Sequence, residues 1–219
     1  MNKVDKRTLI LDALQELLRE GRAGTASVMD IAHKAGIAKG GMYYYFKDKE
    51  AALDALAHRQ YAVVIQACKQ ALDGAQGDAI EKLKLLLSVY RNTAVDFSVD
   101  QFLHQTQNAA IHQKSMADIV HGLTPLVTQI FKQGVRDGMF ACEYPTENAQ
   151  IMLSALVFLL DRGIFKWTEA ETQQKLIALA DMMEKALCAK QGSFSFLYAG
   201  WSKQKLSGPQ QNTHQEEPT

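Results

Sequence analysis

The stretch SVMDIAHKAGIAKGGMYYYFKDKE, residues 27–50, decides the fold of this chain. Its first residue, a serine, is a favourable N-cap, and apolar residues recur at helical spacing over the next turns, which predicts a helix over about residues 28–35. Gly36 follows at the point where the chain must leave this helix in a left-handed conformation, which glycine adopts without strain. A second helix is expected from about Lys39, so the segment has the pattern of a helix-turn-helix.

The second helix of this motif has two different faces. Met42 and Phe46 fall on an inner stripe, whereas Tyr43, Tyr44 and part of Tyr45 face outward. A polar and aromatic outer face is what a helix needs to enter the major groove of DNA. The alternative is an ordinary helical hairpin whose tyrosines pack against another part of the chain.

The flanking sequence favours the DNA-binding interpretation. Upstream, KRTLILDALQELLREG carries apolar residues on one helical face and ends in glycine, so a third helix is available to brace the motif. Downstream, a helix restarts with Asp48 as its cap and Lys49 in its first turn, where a lysine could meet a phosphate. A nucleotide-binding loop at Gly40 and Gly41 is the weaker interpretation, since no strand and no complete glycine fingerprint precede them.

The pattern Val-x-Asp-Ile-Ala-x-x-Ala-Gly, followed by Lys-Gly-Gly-Met-Tyr-Tyr-Tyr-Phe-Lys-Asp-Lys-Glu, resembles the DNA-binding domain of the TetR/AcrR family of bacterial transcriptional regulators. The resemblance extends over about residues 4–56. It implies a helix-turn-helix at about residues 27–46 and a set of DNA contacts made by Ser27, Met29, Lys39, Gly40, Gly41, Tyr43, Tyr44, Tyr45 and Lys49. Met29 and Gly41 stand where members often carry base-reading side chains. We therefore expect few direct base contacts and more weight on thymine methyl groups and DNA shape.

Composition predicts an all-α fold for the rest of the chain. The 219 residues include only 4 prolines, and 24 basic side chains balance 24 acidic ones. Residues 1–60 contain ten lysines and arginines and eight acids, and this slight positive excess is compatible with a local basic surface. We expect a three-helix helix-turn-helix domain over residues 4–50, a larger helical domain over 51–191, and a tail over 192–219 that is first aromatic and then disordered.

The larger domain shows several helical patterns. We expect a helix from Asp48 to about Leu72, another over about residues 79–97, and then a polar segment through His112. The helical pattern resumes at Ser115, with a kink or a restart expected at Pro125. A strongly apolar helix is expected from Pro145 to about Lys166, and Thr168 with Glu171 forms a capping box for the last helix.

The resemblance also implies a homodimer and a ligand pocket. Family members pair through their last two long helices, here about residues 146–190, although one chain could also bury this apolar segment internally. A small-molecule pocket is expected among the central helices. Candidate lining residues combine aromatic and polar side chains: Tyr61, Tyr90, Phe97, Phe102, His104, Gln107, Met116, Phe131, Phe158 and Arg162.

Metal, cofactor and membrane signals are weak. His104 and His112 could share a helix face but lack neighbouring acids or thiols in the sequence, and Cys68, Cys142 and Cys188 have no metal or redox spacing, so no metal and no cofactor are expected. A redox-sensing cysteine is the minor alternative. The longest apolar run, residues 151–160, is too short to cross a bilayer, and no signal peptide is apparent, which predicts a soluble cytoplasmic protein without a membrane partner.

The expected function is therefore ligand-responsive regulation of transcription. The resemblance implies a homodimeric repressor that a small molecule releases from a palindromic double-stranded DNA operator. One alternative is a DNA-binding regulator without a small-molecule ligand, controlled by a partner or acting as an activator. A helical enzyme is disfavoured because the sequence contains no nucleophile elbow, no His-Glu-x-x-His zinc motif and no phosphate loop.

Overall fold

The all-helical architecture is confirmed by a computed structural model, which describes residues 5–22, 24–93 and 95–199. These ranges form nine α-helices and no β-strand. The helices are α1 (Lys6–Arg19), α2 (Val28–Lys34), α3 (Lys39–Tyr45), α4 (Lys49–Leu72), α5 (Ala79–Asn92), α6 (Phe97–Leu103), α7 (Ala109–Arg136), α8 (Pro145–Ser154) and α9 (Glu169–Ala186).

Local capping residues start most of these helices. Ser27, which the sequence predicts as an N-cap, forms a reciprocal capping box with Asp30 at α2, and Thr168 and Glu171 form the predicted box at α9. Asp48 caps α4 by accepting a hydrogen bond from the Ala51 amide at 2.7 Å. These caps satisfy amide groups that have no partner inside the helix, so they fix where each helix begins.

Two clusters of buried apolar side chains hold the helices together. The first, which we call the head cluster, joins α1, α2, α3 and the start of α4 around residues such as Leu14, Ile31 and Met42. The second, the body cluster, joins the later part of α4 with α5, α7, α8 and α9. Helix α4 contributes to both clusters. It therefore links the head (α1–α3 and the start of α4) to the body (the end of α4, α5 and α7–α9).

Helix α6 also belongs to the packing of the head, which the sequence did not predict. Its residues Val99, Phe102 and Leu103 are buried in the head cluster, together with Ile111 of α7. The expected helix over about 79–97 ends instead at Asn92, and the segment expected to be a polar connection contains α6 and the first turn of α7. A helix this short gives a weak periodic signal, and its stability comes from tertiary burial.

Helix α7 runs without interruption through Pro125, so the expected restart does not occur. A proline inside a helix removes one backbone hydrogen bond and crowds the preceding turn. The turns on both sides of Pro125 bury an apolar stripe in the body cluster, including Leu123, Val127 and Phe131. This shared burial holds both halves in one helix despite the lost hydrogen bond.

Helix α8 ends earlier than the sequence suggests. It stops at Ser154, a π-helical turn covers Ala155–Leu159, and the chain then turns instead of continuing to about Lys166. Oδ1 of Asp161 accepts hydrogen bonds from the amides of Gly163 at 2.8 Å and Ile164 at 2.9 Å. An aspartate that binds amides two and three residues later stabilises a turn in competition with the helix.

The aromatic part of the expected tail is integrated in the body. Phe194 is fully buried, and its amide donates a hydrogen bond to Glu184 Oε1 at 2.9 Å. A short 3₁₀ helix, Ser195–Leu197, follows, and the Phe194 ring lies 6.2 Å from the Phe140 ring. Residues 193–199 therefore complete the core of their own chain. The end of the expected aromatic part and the segment expected to be disordered, residues 208–219, lie outside the described residues, which end at residue 199.

Candidate nucleic-acid interface and effector cavity

The turn of the helix-turn-helix is built on Gly36. Its φ is +67°, in the left-handed region that the sequence predicts for this position. The Gly36 amide donates to the His33 carbonyl at 3.1 Å and the Ile37 amide donates to the Ala32 carbonyl at 3.0 Å. These two bonds close the end of α2 and set the direction in which α3 leaves.

Helix α3 presents its tyrosines unequally. Met42 is fully buried beneath the helix, whereas 83% of Tyr44 and 50% of Tyr43 are exposed. Tyr45 is half-buried, packs against the head cluster and contacts the Tyr44 ring edge-on with centroids 5.0 Å apart. The surface expected to meet DNA therefore carries two exposed tyrosine rings, and the third ring serves mainly to support them.

The glycine pair of α3 has no packing function within the described chain. A Cβ atom added at Gly40 would meet nothing within 4 Å, and one added at Gly41 would come no closer than 3.6 Å to the Ile37 side chain. Glycine inside a helix costs roughly 0.5–1 kcal/mol relative to alanine. Since an alanine would fit at both positions, packing within the described chain does not explain the glycines.

The other expected contact residues of the head differ in how free their polar groups are. Lys39 and Met29 are exposed, and Met29 exposes 62% of its surface. The Ser27 hydroxyl donates to Asp30 Oδ2 at 2.7 Å and accepts from the Asp30 amide at 3.2 Å. Ser27 is thus engaged in capping α2, and its hydrogen bonds to Asp30 lower the pKa of that carboxyl group.

Lys49 binds within its own chain. Its Nζ donates to the carbonyl oxygens of Gly24 and Ala26, each at 3.0 Å. These carbonyls belong to the loop between α1 and α2, so Lys49 fastens this loop to the start of α4. The sequence placed Lys49 on the DNA backbone, and it could not reveal the two carbonyls because they lie more than twenty residues earlier.

Asp96 connects α6 to α1 of the head. It is the N-cap of α6, and its Oδ2 accepts hydrogen bonds from Arg19 Nη2 at 2.6 Å and from Gln15 Nε2 at 2.9 Å, both on α1. Burial acts to raise the pKa of the Asp96 carboxyl, but the hydrogen bonds from Ser98, Gln15 and Arg19 outweigh this effect and lower it. The charge of one carboxylate therefore joins α1 of the head to α6.

A partly open cavity of about 500 Å³ lies between α7 and the end of α8. Its lining residues are Ala109, His112, Gln113, Met116, Ala117, Val120, His121, Ser154, Val157, Phe158 and Ile164. Seven of these residues lie on α7 at successive intervals of three and one, the spacing of a single helix face. This periodicity is a signal in the sequence from which the α7 wall could have been identified.

The structure brings only two of the ten expected pocket residues, Met116 and Phe158, into the lining of this cavity. Phe131 and Phe102 are buried in the body and head clusters, respectively, because their helices pack tightly there. Phe97, Gln107 and Arg162 are exposed. Arg162 lies beyond the end of α8, in the turn that follows it.

Tyr61 and Tyr90 are half-buried beside the body cluster and do not line this cavity. Burial raises the pKa of the Tyr61 hydroxyl above its ordinary value and raises that of Tyr90 to about 12. Burial disfavours the phenolate, which is the charged form. Both hydroxyl groups therefore stay protonated at neutral pH.

His104, His112 and Asp161 form a polar cluster at one end of the cavity wall. Asp161 Oδ2 lies 3.0 Å from His112 Nε2 and 3.5 Å from His104 Nε2, and the two imidazole rings meet edge-on with centroids 4.7 Å apart. Asp100 Oδ2 lies 3.6 Å from His104 Nδ1. The carboxylates of Asp100 and Asp161 raise the pKa of His104 to about 10.

No helix in residues 5–22, 24–93 and 95–199 is both long enough and apolar enough to cross a membrane.

Comparison with known proteins identifies both halves of the chain. Residues 10–56 match the bacterial regulatory proteins of the tetR family, and residues 91–182 match the tetracyclin repressor-like C-terminal domain. The fatty acid metabolism regulator protein of Bacillus subtilis (strain 168) is 26% identical over 192 residues, which cover 84% of this chain and 95% of the relative.

Two solved structures share the fold. The structure of RolR in complex with resorcinol is 18% identical, has a TM-score of 0.62 and covers 88% of this chain and 92% of its own. The fatty acid degradation regulator FadR from Bacillus halodurans is 22% identical, has a TM-score of 0.56 and covers 96% of this chain and 99% of its own.

The helix-turn-helix head, the helical body and the family matches to both lead to one identification. The resemblance inferred from residues 4–56 is confirmed, and so is the expectation that the chain is not an enzyme, because this family consists of transcriptional regulators. The chain belongs to the TetR family of bacterial transcriptional regulators and is a ligand-responsive, DNA-binding regulator of transcription.

Proposed function

We propose that the protein is a cytoplasmic homodimeric repressor that a small molecule releases from a palindromic operator. The observation that carries the proposal is the exposed surface of α3, where Tyr43 and Tyr44 are exposed and Gly40 has open space above it. A glycine that costs helix stability without relieving a clash is explained if a DNA backbone approaches it closely. The two tyrosine hydroxyls then bind phosphates, while their rings cover sugar and methyl groups.

Apolar exposure on α8 and α9 supports the homodimer. Four apolar residues are exposed in the single chain: Ile151 on α8, Phe158 in the π-helical turn that follows α8, and Ile177 and Met182 on α9. Exposed apolar residues on two neighbouring elements mark a protein-binding surface. A two-fold dimer through this surface, within about residues 146–190, would present two α3 helices to half-sites about 34–36 Å apart.

Helix α6 is the element through which the cavity can influence the head. Asp96 at its start binds α1, its apolar side chains pack in the head cluster, and His104 at its end touches the His112–Asp161 pair on the cavity wall. A molecule that moves the cavity wall therefore shifts a helix that is bonded to the head. A coupling of roughly 1–3 kcal/mol would change DNA affinity about five- to 150-fold.

The lining of the cavity indicates the class of effector. Its walls combine apolar residues such as Met116, Val120 and Phe158 with a few polar groups, including His112 and His121. Such a site suits an apolar molecule with one polar end. Together with the similarity to the Bacillus subtilis regulator of fatty acid metabolism, this lining supports a fatty acid or its thioester as the effector.

The DNA-binding part of the proposal is tested by selecting binding sites from random or genomic DNA with the purified full chain. A palindromic site whose half-sites are about one helical turn apart is expected. Enrichment of a single half-site, or of no sequence, would overturn the proposed operator.

The effector part is tested with decanoate, oleate and their coenzyme A thioesters, with free coenzyme A as the control. We expect at least one acyl compound to raise the melting temperature and to weaken binding to the selected site about five-fold or more. If none of the four acyl probes changes either quantity, the fatty-acid effector is wrong. Stronger DNA binding with an acyl probe would identify a corepressor-dependent regulator instead of a repressor released by its effector.

The dimer part is tested by light scattering of the wild type and of Met182→Glu. The wild type should have twice the mass of one chain, and the introduced carboxylate should produce monomers because it would be buried without a partner. Val63→Glu is the matched control, since Val63 is equally exposed but lies on α4. A monomeric wild type, or the same loss of mass in both variants, would contradict the proposed interface.

A further inference from the structure

The cluster of His104, His112 and Asp161 joins three separate elements of the chain. His104 ends α6, His112 lies in the first turns of α7, and Asp161 lies in the turn after α8. Their donor atoms lie within 4.8 Å of one another, and the His112 and Asp161 side chains expose only 9% and 11% of their surface. The three side chains therefore bring two imidazole nitrogens and one carboxylate oxygen, which are all metal-ligand atoms, to one largely buried place.

Asp161 is held in an orientation suited to binding a cation. Its Oδ1 accepts the amide hydrogen bonds of Gly163 and Ile164, which fix the carboxylate plane. Its Oδ2 lies on the side of both imidazoles, close to each Nε2. Backbone hydrogen bonds that hold one carboxylate oxygen and leave the other beside two histidines are a typical outer sphere of a metal ligand.

Gly163 makes room for this arrangement. A Cβ atom at this position would lie 2.1 Å from Cδ2 of His104, which no real contact permits. A side chain at residue 163 would therefore displace the His104 ring from the cluster. Unlike the glycines of α3, this glycine is required by the position of one histidine.

The charges and donor types in the cluster specify the ion. Two imidazole nitrogens and one carboxylate oxygen form the donor set of zinc and iron(II) sites that retain open positions. Asp100 lies beside Nδ1 of His104, where metal-binding histidines usually meet a carboxylate. A metal ion that binds His104 displaces its proton, and Asp100 and Asp161 then give the cluster two negative charges, which one divalent cation balances.

We propose that His104 Nε2, His112 Nε2 and Asp161 Oδ2 bind one divalent transition-metal ion of the Zn²⁺ class, with Asp100 orienting His104. In a tetrahedral site with bonds of about 2.0–2.1 Å, neighbouring donors lie roughly 3.3 Å apart. The two distances from Asp161 Oδ2, 3.0 and 3.5 Å, already bracket this value. Small rotations of the imidazoles would close the remaining distance, and His112 also lines the cavity.

A metal ion at this position would join α6, α7 and the turn after α8 at the cavity wall. Since α6 packs in the head cluster, the ion would stabilise one placement of the head on the body. This regulatory consequence rests on the proposed function, whereas metal binding itself does not. The titration that follows therefore measures metal binding alone.

The binding test uses the full chain, freed of metal by chelator, and titrates it with Zn²⁺ in a calorimeter. One ion per chain is expected, and Co²⁺ should give the visible absorption of a site with nitrogen and oxygen ligands. His112→Ala and Asp161→Asn should each weaken Zn²⁺ binding by about 100-fold or more, since even loss of an outer-sphere partner costs about 10–100-fold. Far-ultraviolet circular dichroism confirms that each variant is folded.

Two further variants distinguish a built site from incidental binding. His121→Ala is the matched control, because His121 also lies on α7 and lines the cavity but is outside the cluster. It should bind Zn²⁺ as the wild type does. Gly163→Ala keeps all three ligands but displaces His104, so it should weaken binding by about 10–100-fold. Absence of stoichiometric binding, or equal affinity in all four variants and the wild type, would overturn the proposal.

Discussion

The DNA-binding surface of the head and the cavity of the body are built in opposite ways. Tyr43, Tyr44 and Gly40 come from one helix of seven residues and lie on its outer face. The cavity instead collects residues of α7, the end of α8 and the turn that follows. A surface formed by one continuous segment depends on local structure, whereas a cavity formed by separated segments depends on how the whole body packs.

This difference predicts different costs of mutation. Exposed residues of α3 contribute little to the folded core, so their loss should reduce DNA binding and leave the free energy of unfolding almost unchanged. Residues that join α6 to the head, such as Asp96, support folding and function together. Comparing stability with DNA affinity in the same variants is therefore the most direct test of the contrast.

The largest effect on DNA binding is expected for the double variant Tyr43→Ala, Tyr44→Ala. Losing two phosphate-binding hydroxyls and two rings should weaken DNA binding by about 100-fold, with specific and non-specific sites affected alike. The melting temperature should stay within about 2 °C of the wild type, because both side chains are largely exposed. Mobility-shift titrations and thermal unfolding measure the two quantities.

A matched variant separates the hydroxyl groups from the rings. Tyr43→Phe, Tyr44→Phe keeps the rings. It should lose only about a third to a half of the DNA-binding free energy that the double alanine variant loses. A loss confined to the specific site would show that the tyrosines read bases instead of positioning the backbone. A large fall in melting temperature would show that this surface also stabilises the head.

The same contrast explains which features the sequence predicted and which it did not. Gly36, the caps at Ser27 and Thr168 and the two faces of α3 are local features, and the structure has them where the sequence predicts them. Helix α6 and the turn at Asp161 were missed because tertiary packing and side-chain hydrogen bonds decide them. His112 could be placed on a helix face, but its partner Asp161 could not be assigned without the end of α8.

The next largest effect concerns the joint at Asp96. Asp96→Asn keeps the shape of the side chain but removes its charge, and should lower the free energy of unfolding at pH 7 by about 1–2 kcal/mol. The Asp96 pKa is lower in the folded chain than the ordinary value, so its contribution is present at neutral pH. It declines as the pH falls below about 4, where the carboxyl of the unfolded chain takes up a proton.

The control for this prediction is the pH dependence of the stability difference between the wild type and Asp96→Asn. Urea unfolding of both proteins at several pH values should show a stability difference that is largest near pH 7 and shrinks towards about pH 3. A difference that does not change with pH would mean that Asp96 acts through packing. If Asp96→Asn also changes how strongly an effector weakens DNA binding, the contacts of Asp96 carry the coupling between the cavity and the head.

Gly40→Ala is expected to have smaller effects, which are opposite in sign for stability and for DNA affinity. Alanine fits the open space at this position and favours the helix, so it should raise the free energy of unfolding by up to about 1 kcal/mol. The added methyl group should keep the DNA backbone at a greater distance and weaken binding by about ten-fold. Chemical denaturation and mobility shifts on the same samples measure both.

The control for this variant lies in the same segment. Ala38→Gly, at the N-cap of α3, adds flexibility without adding volume, so it should change DNA binding by less than about three-fold. If Gly40→Ala left DNA binding unchanged, close approach of the backbone at α3 would be refuted. The exposed tyrosines would then be the main support for the interface.

The smallest effect on DNA binding is expected for Lys49→Met. This variant tests whether Lys49 contacts DNA directly or acts by holding the loop before α2. Its Nζ binds the carbonyls of Gly24 and Ala26, so methionine should cost about 1 kcal/mol of stability and weaken DNA binding only about three-fold, by loosening the loop before α2. The slope of DNA affinity against salt should not change. If the slope instead falls by about one and stability is unaffected, Lys49 neutralises a phosphate, as the family resemblance implies, and turns from the loop to the DNA on binding.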